Sequence, residues 1–521
     1  MNSSEKFPTF IRWNRYFWKW ANRWVRPLVR PVFFTLVCLI TLVALVIAEE
    51  NYRTGKAWEK YQSEAKTRGV KFTLAELAPP PVPDDQNFAM TPLLKQLYTD
   101  GYNRKRPSKN LDVYENADAD TEERPNEMHY FGLGDWSNGE RVNLAKWTTH
   151  FQYFHQPDIL TALKKYDAEL TEISVAVQRP YSHFPFPYDK QPAISIIMPE
   201  IASLGQLAEL YELRGLAELA DGKSDAALAD TVSLFKLSVA TRDEPTLIAM
   251  FVRTRTLDDG LQVVWEGLED RIWTEAQIAK LQQEIQKIDL LPQIQLAGQG
   301  ERALFVNTLE WLKQQNIATR EKNVKNMTSG RDVSGESSLD SLEINYKLLM
   351  QVLPFSLDRA LLLGNEYMDQ YIQPAVNLAE RRFYPDVTEA GEKALHAQIG
   401  LSGYLPGRLY LTFCSSEKGS LRHFAHGQTS LDEAAIACAL ERFRLAHGNF
   451  PEKLEELVPQ YIAQLPHDMI TGKPLHYQRT DDGNFVLYST GWDGIDRQGN
   501  LLKKDEFNPG IDNWIWRYPE K

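Results

Sequence analysis

The longest apolar run in the chain is Val32–Ala48, seventeen residues without a charge. As a helix rising 1.5 Å per residue it covers about 25 Å, and Leu28 and Val29 extend it toward the roughly 30 Å hydrocarbon core of a bilayer. The pattern predicts a transmembrane helix over 32–48. A cleaved signal peptide is the competing reading, since Val46 and Ala48 fit a small-residue cleavage pattern; such segments have about 7–15 apolar residues behind a short basic start. Upstream, Phe10, Trp13, Phe17, Trp20 and Trp24 recur at spacings of 3 and 4, with Arg12, Arg15, Lys19, Arg23 and Arg26 on the other faces. One helix over 1–31 would offer an aromatic stripe flanked by cations, the make-up of a helix in a membrane interface. A partner-binding helix or a core stripe is the plainer alternative.

Residues 49–99 read as a juxtamembrane segment: a charged helix over 52–68 stopped by Gly69, then Pro79–Pro83 as a polyproline II spacer. A mainly helical body is expected over 100–425. Its first part, 100–145, is rich in Asn, Asp and Gly and reads as loop with a strand near 128–133. From 157 the apolar period is helical. Pro199 opens a helix carrying Leu204, Leu207, Leu210 and Leu213 and ending near Gly222; Ser224 caps the next; 246–267 form a third; the Thr274–Gln277 capping box opens a fourth. The step from Leu216 to Leu228 is similar to a tetratricopeptide hairpin turn, without a 34-residue repeat around it. Residues 315–340 read as a polar loop, with helical pattern resuming over 341–353 and 358–382. The last module, 426–521, reads as α+β. A capping box at Ser430–Glu433 opens a helix ending at Gly448, a short helix carries Leu454 and Leu457, strands over 475–479 and 485–490 flank a turn at Asp481–Asn484, and a loop tail ends in Trp514 and Trp516.

Composition changes this picture through charge. The chain holds 58 basic and 70 acidic side chains, a net of −12, with 43% hydrophobic residues and 3 Cys. This excludes a disordered chain, a disulfide-stapled miniprotein and a multi-span membrane protein. Residues 1–31 carry +6, leaving −18 for the remainder. An acidic body disfavours nucleic-acid binding. Lys and Arg number 6 before the span and 5 after it within twenty residues, so the positive-inside rule barely votes. The N-terminus is placed inside because a single N-terminal span followed by a long acidic body is the pattern of an exported, tethered domain.

The motif order in the C-terminal module, Ala439–Pro451, Leu465-Pro466 with Gly472-Lys-Pro474, Tyr488–Gly494 and Ile511–Trp514, resembles the globular head of the type II secretion pseudopilins. The whole chain, including Pro80–Phe88 and Val486–Trp492, is similar to a group of uncharacterised single-pass membrane proteins of Verrucomicrobia-type bacteria. The pseudopilin resemblance implies a calcium ion in the loop before the terminal Trp, where Asp493, Asp496, Asp505 and Asp512 fall; calcium takes six to eight oxygen ligands. The plain reading of these Asp residues is turn formation.

Other chemistry is sparse. His423-x-x-His426 is the one close histidine pair, a metal-compatible spacing on a helix that lacks a third ligand. No phosphate-binding Gly loop, Gly-x-Ser-x-Gly elbow or Cys-x-x-Cys pair is present. Helix carboxylates such as Glu275 to Glu284 read as solvated faces. Cys414 and Cys438 can be drawn as a disulfide, or Cys438 as a buried thiol on an apolar face. The expectation is a membrane-anchored periplasmic interaction or scaffold protein of a bacterial inner membrane, touching membrane lipid and envelope or secretion proteins. The alternative is an envelope-acting hydrolase with His150, His155 or His183 near a carboxylate.

Overall fold

A computed structural model describes residues 9–102, 135–153, 155–316, 318–320, 322–323, 357–398, 404–499 and 513–518. The chain is predominantly helical with small sheets toward the C-terminus, and it divides at 68/69, 315/316 and 362/363 into two compact units. The predicted strand near 128–133, most of the polar loop at 315–340 and the predicted helix at 341–353 lie outside the described residues.

In the first unit, helix α1 runs unbroken from Thr9 to Thr67. The sequence suggests an interfacial helix, a span and a charged helix; the backbone joins them into one rod. Phe10 to Trp24 fall on its first turns, where only the backbone is described. From Pro31 onward it is long and apolar enough to cross a membrane by length and composition. Its apolar side chains are exposed all round, Val32 at 62%, Phe34 at 71% and Leu45 at 63%. Thr35 and Thr41 turn their hydroxyls onto the carbonyls of Pro31 and Val37, both at 2.8 Å, which satisfies those two donors within the helix. Below, Lys56–Glu59 and Lys60–Glu64 pairs decorate the charged portion, Arg359 reaches Glu50 at 3.0 Å, and Gly69 at φ +83° follows the helix end.

The second unit begins with short elements. Helices α2 (Pro92–Tyr102), α3 (Leu144–Tyr153), α4 (Ile159–Leu163) and α5 (Asp167–Ala176) lead into the helical run α6 (Pro199–Ala220), α7 (Ser224–Ser238), α8 (Leu247–Glu269), α9 (Glu275–Ile285) and α10 (Leu291–Gln314). The predicted stripe of α6 is the buried one: Leu204, Leu207, Leu210 and Leu213 are each at most 1% exposed. Gly222 at φ +72° turns α6 into α7, and the capping box at Thr274 closes onto Gln277 in both directions.

Two helical expectations change. The helix expected over 358–382 ends early: α11 (Leu357–Tyr367) passes through a π turn and a 3-10 turn, and Val376–Asn377 (β1) pairs antiparallel with Arg382–Phe383 (β2). Pro374 removes a helix donor, and Asn377 accepts the Glu380 N–H at 3.0 Å to set the turn. After α12 (Pro385–Gln398), the Ser430 capping box proves to be mid-helix, because α13 runs from Tyr404 to His447. Ser430 is fully buried and its hydroxyl has no partner. Every residue from Ala434 to Leu440 is at most 4% exposed, so burial on all sides carries the helix through a local start signal. It ends before Gly448 at φ +86°, as expected.

Strands β3 (His476–Arg479), β4 (Phe485–Ser489) and β5 (Trp514–Arg517) form one antiparallel sheet in the order β3-β4-β5. The tail expected to be loop thus supplies a strand. Trp514 pairs with Ser489 and Trp516 with Leu487; both tryptophans are buried, and the Trp265 indole donates to the Arg517 carbonyl at 3.0 Å. Apolar pairing across the sheet outweighs the Gly/Asp/Asn-rich composition that precedes it.

Candidate functional site

The predicted aspartates are engaged with protein partners where they are described. Asp493 forms a two-pronged pair with Arg497, at 2.6 and 3.0 Å, and accepts the Ile495 N–H at 3.0 Å. Asp496 accepts the Gln498 N–H at 2.7 Å and the Tyr488 hydroxyl at 3.0 Å; the backbone bond is the main reason its carboxyl sits below the usual range. Asp505 and Asp512 lie outside the described residues. Asn513 ties the loop by donating to the Thr490 and Ile495 carbonyls, both at 2.9 Å. Among the described residues no three His, Cys, Asp or Glu side chains gather as a metal group.

The histidine pair is half-buried, His423 against α8 and His426 against β5. His423 Nε2 is 3.0 Å from Thr254 Oγ1, and His426 meets the Trp514 ring edge at 5.3 Å between centroids. Burial lowers both; His426 falls to about 4, so it is neutral at pH 7. Along the same helix Asp258 is pushed up to about 8, chiefly by burial. His150 is buried against Trp147 and Phe151, His155 is exposed at φ 62°, and His183 Nε2 lies 3.6 Å from Asp243 Oδ2. Cys438 is a buried free thiol whose pKa burial raises to about 12; the Cys414 side chain is outside the description. Glu284, expected on a solvated face, is buried beneath Lys280 at 2.6 Å and Lys287 at 3.0 Å.

Two places emerge that no spacing announced. In the first, Glu200 in the opening turn of α6 and Glu244 before α8 are 1% and 3% exposed, and among the described residues none of their four carboxylate oxygens has a hydrogen-bond partner from another residue. Burial pushes Glu200 up to about 7, and burial plus the Glu200 charge pushes Glu244 well above the carboxylate range. The second is a cleft of about 580 Å³, its open mouth included, between the ends of α5 and α7. Arg179, Lys236 and Arg242 line it beside Tyr181, Ser182 and Val239. Its wall is fixed by a short zipper: Phe88 N–H donates to the Tyr181 carbonyl at 2.7 Å, and the Asn87 amide both accepts from and donates to the His183 backbone at 2.9 and 3.0 Å. Ser182 Oγ donates to the Ala240 carbonyl at 2.6 Å, tying the wall to the end of α7. Arg179 donates to the Asn87 carbonyl at 2.9 Å, and Lys236 to the Gln178 amide oxygen. Arg179 is far in sequence from Lys236 and Arg242, and the fold brings it beside them.

A third concavity, about 670 Å³ with its mouth, is apolar, lined by Leu247, Ile294, Ile372, Val376, Leu421 and Phe424. The chain matches no protein-family model, no curated protein and no solved structure.

Proposed function

We propose that the protein is a membrane-anchored interaction or scaffold protein of the bacterial envelope, tethered by α1 in the inner membrane with its N-terminus in the cytoplasm and its acidic body in the periplasm. The observation that carries this reading is the apolar stretch of α1, exposed on every side and continuous with a charged helix. A helix hydrophobic all round is stable in lipid and costly in water. The helix-and-sheet C-terminal module supports a pseudopilin-like head and, with it, a link to a secretion or pilus-like apparatus. Calcium in that head would have to compete with Arg497 for Asp493; a calcium-dependent rise in melting temperature that Asp493→Asn abolishes tests that part.

Protease treatment of intact, outer-membrane-permeabilised and fully lysed cells tests the topology. Cleavage of the C-terminal head once only the outer membrane is opened is the expected result; cleavage confined to full lysis overturns the orientation. Crosslinked envelopes should also yield a reproducible protein partner, and failure to recover one argues against the scaffold role.

The second reading, an envelope-acting hydrolase, draws on the 3.6 Å approach of His183 to Asp243 next to the cationic cleft. Hydrolysis of isolated envelope material by the full chain, lost in His183→Ala, supports it; no hydrolysis by the unaltered chain removes it.

A further inference from the structure

We propose that the cleft between the ends of α5 and α7 binds the phosphate group of a phosphate ester, with Arg179, Lys236 and Arg242 as its cationic contacts. The charge arrangement runs against the chain as a whole. Beyond residue 31 the chain carries −18, yet three cations line one concavity. Among the described residues neither Arg179 nor Lys236 has a carboxylate partner; their acceptors are the neutral Asn87 carbonyl and Gln178 amide. Among the described residues Arg242 pairs only with Asp243, at 3.4 Å from Nε, and Asp243 also faces His183. A guanidinium carries five N–H donors, and Arg179 commits one of its own to protein.

Cations near helix C-termini are favoured by the helix dipole, which accounts for the sign of charge at the ends of α5 and α7. It does not account for forks left with open donors around a shared space. The cleft is also preorganised. Arg179 hangs from a segment zipped to Asn87 and Phe88, and that segment is pinned to α7 through Ser182. Fixed donors lose little freedom on binding.

The ligand class follows from the donor set. A carboxylate is satisfied by one arginine fork. Three cations around one space suit a group with more oxygens and more charge, as a phosphate has. Tyr181, 39% exposed at the cleft, offers a ring face to the organic part of the ester. That ester can be a soluble phosphorylated metabolite or a phospholipid headgroup.

Calorimetric titration of the full chain in neutral detergent separates these sources. The probes are glycerol 3-phosphate as monoester, glycerophosphoglycerol as deacylated headgroup, and glycerol as the neutral control. Saturable binding of at least one phosphate ester with Kd below about 10 mM, and none of glycerol, is expected. Tighter monoester binding assigns a soluble metabolite, and tighter diester binding assigns a headgroup. Arg179→Gln with Arg242→Gln should weaken binding by about tenfold or more. No saturable binding of either ester overturns the proposal, as does binding retained by this double variant at unchanged melting temperature. Should the double variant fail to fold, Lys236→Gln alone decides: weakened binding supports the site, and undiminished binding removes it.

Discussion

Glu200 and Glu244 show how a residue's neighbours, rather than its type, set its chemistry. In the fold their four oxygens are buried, without hydrogen-bond partners among the described residues. An ionised carboxylate held there would cost several kcal/mol, so the proton stays on instead. The native state therefore binds more protons than the unfolded chain between pH 4.5 and about 7, the ordinary and shifted values for Glu200. With that sign, stability is highest at the acidic end and falls as pH rises through the interval. The full shift corresponds to a loss on the order of 3 kcal/mol. Glu200→Gln should flatten this dependence, gaining stability at pH 8 and little or none at pH 5, as read by urea unfolding at both values. An unaltered slope with pH would mean that Glu200 is not the titrating group.

At the scale of elements, close helix approach depends on single small residues. A Cβ on Gly300 of α10 would sit 1.6 Å from the Pro245 carbonyl oxygen, so the helix lies directly on the loop that leads into α8. Two residues away, Gly298 has nothing within 4 Å of its would-be Cβ. Gly300→Ala is expected to destabilise by about 3 kcal/mol or to prevent folding, because backbone cannot give way cheaply. Gly298→Ala should be neutral or stabilising by up to about 1 kcal/mol through the better helix propensity of alanine. Thermal melts of the pair check this, and equal effects would refute the packing argument. The same scale explains what was legible. The stripe of α6, the Thr274 capping box and the Gly448 stop could be read because each is decided within a turn or two of chain. Ser430 could not, since the burial that keeps α13 continuous comes from α8, α9 and the sheet around it. The third strand escaped for a similar reason: Trp514 and Trp516 become strand residues only against β4. The cationic cleft was illegible altogether, since Arg179 is far in sequence from Lys236 and Arg242 and meets them only in space.

For the whole molecule, the average charge of −12 conceals a +6 leading segment and a −18 remainder, with the uncharged run of α1 between them. That run is the part of the chain able to cross a bilayer, and the net charge of the acidic remainder adds no general attraction to anionic headgroups. Leu39 and Val43 are one helical turn apart near its middle, at 56% and 41% exposure. An arginine at the centre of a span costs about 3 kcal/mol on insertion scales, and the run is already close to the minimum length, so a tilt or shift cannot bring both charges to an interface. Leu39→Arg with Val43→Arg should therefore move the full chain from the alkali-resistant membrane fraction to the soluble fraction. The body's buried core is far from these positions in sequence and includes neither, so its melting temperature should stay near that of the unaltered chain. Retention of the double variant in membranes after alkaline washing would show that the chain is held by something other than the apolar run of α1, and the proposed transmembrane tether would fall with it.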